Sequence, residues 1–306
     1  MKNTELIAVV REDYLDDVPD IAVPTAADYR WSSAFILRNL NQGEREAADR
    51  GNLFFDDSTT SICSIALVDG TALYSLDRRI KRVVRCVFDN LTLKHTTERA
   101  LDADYAGWRD YESGVPKQFV TYADRTIRFV PAPGADQDAE NATLDVYRLP
   151  LRDMRNDSLW EASTVTAAAS YIHNGNGFYF YTVAGGTTHS SAPTWDETEG
   201  NSTTDNDITW VCQGVYKDEP EIDLMYHEDL CWWVRHKAQR RPDEDTQSDK
   251  EAAGALAEFV RIFGSAVGAD VRRHELESPK SLQLKAAVGY SDSPSDAELY
   301  ADQRIW

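Results

Sequence analysis

The strongest constraint on this chain is a change of character in its middle. From about Asn156 to Gly214 it is rich in Thr, Ser, Asn, Gly and aromatics and nearly empty of Lys and Arg, and helical periodicity resumes immediately afterwards. Asn174-Gly175-Asn176-Gly177 stands ahead of Phe178-Tyr179-Phe180-Tyr181-Thr182-Val183, and Thr203 to Asp207 leads into Ile208-Thr209-Trp210-Val211-Cys212. Short strand-like runs separated by Gly/Asn turns predict a small β module. Alternation puts Tyr179 and Tyr181 on one face of a strand and Phe178 and Phe180 on the other, so at least one pair is expected to be buried. The 306 residues suit about two domains, or one domain carrying an insertion.

The flanks read differently. Leu6, Val10 and Tyr14 recur at helical spacing, with Thr4 as the expected N-cap and Asp17-Val18-Pro19 as the stop. A second helix is expected from Ser32 or Ser33 through Phe35, Ile36, Leu40 and Ala47 to Arg50, ended by Gly51 and weakened by Gly43. From Thr59 to about Pro150 the pattern turns to strands. Ser61–Leu67, Ala72–Leu76, Ile80–Phe88, Gln118–Tyr122, Thr126–Val130 and Ala142–Tyr147 predict an antiparallel region of five or so strands, with an Asp69-Gly70 turn, one or two helical turns within Leu101–Trp108, and a loop at Pro131-Ala132-Pro133-Gly134. Helices return at Tyr226–Arg241, broken by Pro242, and again with Ala252, Leu256, Phe259, Val260 and Phe263 on one stripe, capped by Asp245-Thr246 or Ser248 and ended by Gly264. Beyond Ser265 periodicity is lost, and an extended arm is expected to finish in Tyr300 and Ile305-Trp306. Large apolar residues there imply a docking site, on a partner or on the same fold. The fold class that follows is α+β: a bundle of N- and C-terminal helices, an antiparallel β region, a small all-β insertion and an extended C-terminal arm.

Composition narrows the function. Hydrophobic residues make up 42% and charged residues 27%, which excludes disorder over most of the length. No apolar run approaches the ~20 residues of a membrane span, and mean hydropathy is −0.51. Glu5 stands where a signal peptide would continue into its apolar region, so that export route is not expected. The net charge of −20 repels nucleic acid at long range and argues against DNA-binding regulators and nucleases. A protein that surrounds moving DNA without gripping it would benefit from the same charge. Cys63, Cys86, Cys212 and Cys231 show no tight spacing and read as free thiols of a reducing compartment. His227 and Cys231 are four apart but His236 falls on another helix face, so no metal site is expected.

Catalytic motifs are equally missing. There is no GxSxG, P-loop, GxGxxG or HExxH, and with 52 carboxylates chance acid pairs are everywhere, so neither catalytic residues nor cofactors are assigned. Tyr179, Tyr181, Trp195 and Trp210 admit two readings: a platform for sugar rings or partner contact, or the core of the small module. Trp232 and Trp233 read as core or subunit interface, and Arg235, Lys237, Arg240 and Arg241 as a solvated helix end or a partner-facing patch. A glycan hydrolase is the remaining class, supported only by the abundance of acids.

The order of weaker motifs carries a resemblance. Val10-Arg11-Glu12-Asp13-Tyr14-Leu15-Asp16-Asp17, Trp31 to Asn41 and Gly43-Glu44-Arg45-Glu46-Ala47-Ala48 are similar to the N-terminal helices of tailed-phage head–tail adaptor (connector) proteins. Glu221-Ile222, Tyr226-His227, Leu230, Trp233, Lys237-Ala238, Asp243 with Asp245-Thr246, and Phe259 to Phe263-Gly264 resemble that family's paired C-terminal helices. Asn176-Gly177-Phe178-Tyr179, Ala184-Gly185-Gly186-Thr187, Ala192-Pro193-Thr194, Gly200 and Asp205 to Trp210 resemble the small chitin-binding-type carbohydrate modules of phage virion proteins. Ser163 to His173 lacks the customary Gly-Asp turn. The resemblance implies an adaptor core over residues 1–155 and 217–264, an inserted module over 156–216 and an arm over 265–306. It further implies a virion protein made in the host cytoplasm that forms a dodecameric ring, docks on the portal protein through Tyr290, Tyr300, Arg304, Ile305 and Trp306, and meets a tail or nozzle protein below. DNA would pass through its channel without specific binding. The alternative is a virion glycan-binding protein that uses the 156–216 module.

Overall fold

Leu6, Ile7 and Val10 are buried along the first helical segment. The computed structural model describes residues 1–21, 24–104, 106–241, 247–266 and 268. In it α1 spans Asn3–Val9 and passes into a wider π-helical turn from Val10 to Leu15. Thr4 is not its cap. The N-cap is Lys2, whose backbone N–H donates to Glu5 Oε2 at 2.9 Å, because a Glu three residues on can reach back to that orphan donor. Asp16 takes the left-handed conformation, φ 50°, and ends the segment just ahead of the expected stop.

α2 runs Ser33–Gly51 and starts as expected, with Phe35 N–H on Ser32 Oγ at 3.2 Å. Gly43 has a reason to be glycine: a Cβ there would stand 3.1 Å from Trp233 Cβ. What propensity loses at this position, close helix packing recovers.

The strands are β1 Phe54–Asp56, β2 Ser64–Ala66, β3 Leu73–Ser75, β4 Ile80–Phe88, β5 Leu91–Thr92, β6 Lys94–His95, β7 Gln118–Thr121, β8 Thr126–Val130 and β9 Asn141–Arg148. They make two sheets rather than one region of five strands. One has the order β1-β9-β4-β5, with β2 also on β9, and the other β3-β8-β7-β6. All pairs are antiparallel except β6 with β7. The expected strand at Ser61–Leu67 is instead a short helix, α3 Thr60–Cys63, followed by β2. The Ser58 and Thr59 N–H groups donate to Asp56 Oδ1 at 3.1 and 2.9 Å, and that side-chain turn coils the chain before it can extend. α4, Glu98–Asp104, and a 3₁₀ turn at Trp108–Asp110 supply the expected helical turns.

β10 Ser158–Leu159, β12 Ser170–His173, β13 Phe178–Thr182, β15 Ser202–Asp205 and β16 Ile208–Val215 form a sheet in the order β10-β12-β13-β16-β15, while β11 Val165–Thr166 pairs with β14 Gly186–Thr187. The late helix begins later than expected. Leu224–Tyr226 and Glu228–Leu230 are 3₁₀ turns, and α5 covers only Cys231–Gln239. Asp223 accounts for the delay, since its side chain accepts the Met225 N–H at 3.1 Å and closes a turn first. α6 spans Asp249–Phe263. Ser248 Oγ accepts the Glu251 N–H at 3.3 Å, and Gly264 ends the helix at φ 88°. Pro242, Asp243, Asp245-Thr246 and the arm from residue 269 lie outside the described residues. No described helix is long and apolar enough to cross a membrane.

The architecture is therefore α+β, with several antiparallel sheets and few helices. It divides into two compact units: Met1–Glu46 with Pro150–Ile262, and Ala47–Leu149 with the described residues from Phe263. The β10–β16 sheet belongs to the first unit together with α1, most of α2, α5 and most of α6. In the second unit the buried pair Asp56–Arg148 joins β1 to β9. Burial would raise the Asp56 pKa, but the Thr59 and Ser58 amides and the Arg148 guanidinium outweigh it and hold the carboxyl well below the usual range.

Candidate functional site

The two faces of the β10–β16 sheet have separate roles. On the inner face Ile172, Phe180, Ile208, Trp210 and Cys212 form a buried cluster against which Trp160, Phe178 and Trp195 pack. Asp205 anchors it: the indole N–H groups of Trp160 and Trp210 both donate to Oδ2, at 2.8 and 3.1 Å, and the His189 N–H donates to Oδ1 at 2.8 Å. A buried carboxylate with three donors is a satisfied one. Trp210 is fully buried, and Trp195 lies 4.4 Å from the Phe180 ring.

Tyr179 and Tyr181 stand on the opposite face with Tyr171, which pairs with Tyr181 across β12 and β13. Tyr171 lies 4.7 Å from Tyr181 and 6.4 Å from Tyr179, centroid to centroid. The four aromatics singled out from the sequence thus divide into two pairs on opposite faces. Two of these three tyrosine rings are also occupied. The Arg155 guanidinium sits 4.5 Å from the Tyr171 centroid and 4.2 Å from that of Tyr179, while Asp157 holds its other side through Nε at 2.5 Å and Nη2 at 3.1 Å. A cation on an aromatic face, fixed by a bidentate carboxylate, leaves that ring area unavailable to a sugar. Next to it the His173 ring stacks on Tyr216 at 4.4 Å, and burial lowers the His173 pKa.

Arg155 marks the root of the sheet, where the chain enters and leaves. The Arg155 N–H donates to Lys217 O at 2.7 Å, Tyr216 Oη donates to Arg155 O at 3.3 Å, and Asn3 Nδ2 donates to the same carbonyl. α2 grips both chain segments of this root. Asn41 exchanges two hydrogen bonds with Met154, at 2.9 and 2.8 Å. One turn later Glu44 accepts from Lys217 Nζ at 3.0 Å through Oε2, from the Ile222 N–H at 3.1 Å and from the Glu221 N–H. Burial pushes the Glu44 pKa up, opposed by the Lys217 charge and the backbone donors. Lys217 Nζ also reaches Arg152 O at 3.1 Å.

The remaining residues noted in the sequence fall within this unit's packing. Trp232 meets Tyr14 edge-on at 4.9 Å, and Trp233 lies 5.0 Å from Phe259. Of the basic residues, Arg235 pairs with Glu251 at 3.4 Å, Lys237 lies over Trp233 at 4.6 Å, and Arg241 stands 5.7 Å from the rings of Trp31 and Phe35. His227 Nε2 donates to Ile222 O at 2.9 Å and His236 Nδ1 to Ala252 O at 2.8 Å, and Cys231 is buried, its thiol pushed up by burial. Among the described residues no three His, Cys, Asp or Glu are placed to share a metal ion. Tyr290, Tyr300, Arg304, Ile305 and Trp306 lie outside the described residues.

The family model described as SU10 adaptor protein matches residues 1–164, more than half of the chain. The chain belongs to this phage adaptor family. Comparison with curated proteins gives no match. The matched stretch carries α1, α2, the two sheets built from β1 to β9 and β10, and stops immediately before β11. Most of the tyrosine-bearing sheet therefore lies beyond it. Membership identifies a structural virion protein that interacts with other phage capsid or tail proteins, and it points away from catalysis.

Proposed function

We propose that this adaptor is a subunit of a dodecameric ring in the phage neck, docked on the portal above and on a tail or nozzle protein below, and that the ring continues the DNA channel through which ejection proceeds. The adaptor-family match over residues 1–164 carries the reading. The net charge of −20 supports the channel role: each Lys or Arg bound to phosphate would add friction, whereas an acidic wall keeps the duplex hydrated and mobile. In this reading residues 1–155 and 217–264 form the adaptor core with its helices bundled around the ring, 156–216 are an inserted module, and 265–306 are the arm that docks on the portal through Tyr290, Tyr300, Arg304, Ile305 and Trp306. The module's attachment supports its treatment as a rigid fitting, since Asn41 and Glu44 fix both chain segments of its root.

Mass photometry of the protein mixed with its cognate portal ring tests this. Twelve copies of a 34.5 kDa chain add about 414 kDa. A chain truncated after Gly264 should stay folded and add nothing. No added mass with the full chain across a range of salt, or undiminished assembly by the truncated chain, overturns the respective claim.

A further inference from the structure

Two Asn-Gly pairs stand side by side in the turn between β12 and β13, and the structure treats them differently. Asn174 is tied on three sides: Oδ1 accepts the N–H groups of Asn176 at 2.9 Å and Phe178 at 3.1 Å, and Nδ2 donates to Glu197 Oε1 at 3.0 Å. Asn176 is exposed, and its carboxamide has no hydrogen-bond partner among the described residues. The amide N–H of the following Gly177 likewise donates to nothing described, although its carbonyl accepts the Tyr216 N–H at 2.7 Å. Gly177 has φ 93° and open space where a Cβ would stand, so no side chain of its own and no neighbour on that side crowds the turn.

We propose that Asn176 is a site of spontaneous deamidation and isoaspartate formation, and that Asn174, despite the same Asn-Gly sequence, is protected. The deprotonated Gly177 nitrogen attacks Asn176 Cγ and forms the new N–C bond. The Cγ–Nδ2 bond breaks, and the amide takes up a proton from water and leaves as ammonia. Water then opens the resulting succinimide. Cleavage between Gly177 N and Cγ gives aspartate, and cleavage between Gly177 N and the Asn176 main-chain carbonyl carbon gives isoaspartate. At Asn174 the same ring closure must first release the carboxamide oxygen from two amides and the leaving nitrogen from Glu197. Conversion at Asn176 places a negative charge in the turn, and the isoaspartate product also lengthens the main chain beside the Gly177–Tyr216 hydrogen bond.

Incubation of the full-length protein in mildly alkaline buffer, followed by peptide mapping with fragmentation that separates aspartate from isoaspartate, tests the assignment. A parallel sample unfolded in urea reports the intrinsic rates. In the folded protein Asn176 should convert at least about tenfold faster than Asn174, a barrier difference of about 1.4 kcal/mol, whereas the two rates should converge in urea. Asn176→Gln should lose the modification. Equal conversion at both positions in the folded protein, or no conversion at Asn176 while the unfolded chain reacts, overturns the proposal.

Discussion

Asn41 and Met154, 113 positions apart, exchange a reciprocal pair of hydrogen bonds: Asn41 Nδ2 donates to Met154 O at 2.9 Å, and the Met154 N–H donates to Asn41 Oδ1 at 2.8 Å. A primary carboxamide has a donor and an acceptor side by side, so it can close onto the N–H and C=O of one residue as a second strand would. Both residues are buried, so neither group has water as a substitute partner.

Asn41→Leu fills similar volume but strands both Met154 groups. The expected loss is about 2 kcal/mol of unfolding free energy, read from urea denaturation followed by tryptophan fluorescence. Asn41→Asp keeps the acceptor for the Met154 N–H and loses the donor to Met154 O, and should fall further, because an unpaired charge replaces a neutral group. A neutral outcome for Asn41→Leu would show that the segment around Met154 is held by other contacts.

Glu44 holds the segment from Lys217 to Ile222, and the sign of its pKa shift gives a second prediction. Because burial raises its folded pKa, the folded protein holds this proton more tightly than the unfolded chain does. That contribution favours the fold below the ordinary Glu value and is lost as pH rises through the raised value. Glu44→Ala removes that contribution, so its damage is greatest in the acidic range and shrinks as pH rises through the raised value. At every pH it leaves Lys217 Nζ and the Glu221 and Ile222 amides without their acceptor. The expected loss is about 3 kcal/mol. Glu44→Gln retains an acceptor oxygen and should lose less, with a flatter stability profile through the acidic range. Stability curves for both variants from acidic to neutral pH check this.

These partnerships were not legible in the sequence, for a physical reason. The α2 boundaries, the α6 stripe, the Ser248 and Gly264 caps and the Phe/Tyr alternation are local, and periodicity or capping chemistry exposes them. Lys217 lies 173 positions from Glu44, and no local pattern reveals that Asn41 and Glu44, one turn apart on a buried helix face, are the two jaws of a clamp. The polar character of a face otherwise carrying Leu40, Gly43 and Ala47 was the available signal. Gly43 misled in the other direction: it read as a weakness, but it is the seat of Trp233. Asp56 and Asp223 explain the two displaced elements, because each side chain closes a short turn that competes with the periodic pattern around it.

In the second unit, burial and the Arg82 charge lower the His95 pKa from 6.5 to about 4. The ring stacks on Phe119 at 4.6 Å, its Nε2 lies 2.9 Å from Thr121 Oγ1, and its Nδ1 is buried without a partner among the described residues. A lowered folded pKa means that the unfolded chain binds the proton first. The stabilising contribution is complete above the unfolded value and is lost as pH falls from 6.5 towards 4. Between about pH 7.5 and about pH 5 the wild type should lose about 2 kcal/mol through this group. His95→Gln, which cannot take up that proton, should lose correspondingly less over the same interval. Parallel slopes for the two proteins would remove His95 as the cause.

The two faces of the β10–β16 sheet make opposite predictions for aromatic substitutions. Trp210→Ala empties a fully buried site and orphans one side of Asp205, so it should destabilise by about 4 kcal/mol and abolish any binding simply by unfolding the sheet. It is a poor test of recognition. Tyr181→Ala removes a half-buried ring from the other face, and a loss of about 1 kcal/mol or less is expected, set by its contact with Tyr171. Arg155 lies over Tyr171 and Tyr179, which leaves Tyr181 as the ring that a sugar would have to use. With Arg155 across Tyr171 and Tyr179, glycan-array signal from the wild type should stay at background, and Tyr181→Ala should leave assembly with the portal unchanged. Glycan signal that disappears in Tyr181→Ala while the melting temperature holds would instead make this face a carbohydrate site, with Arg155 displaced from the tyrosines on binding.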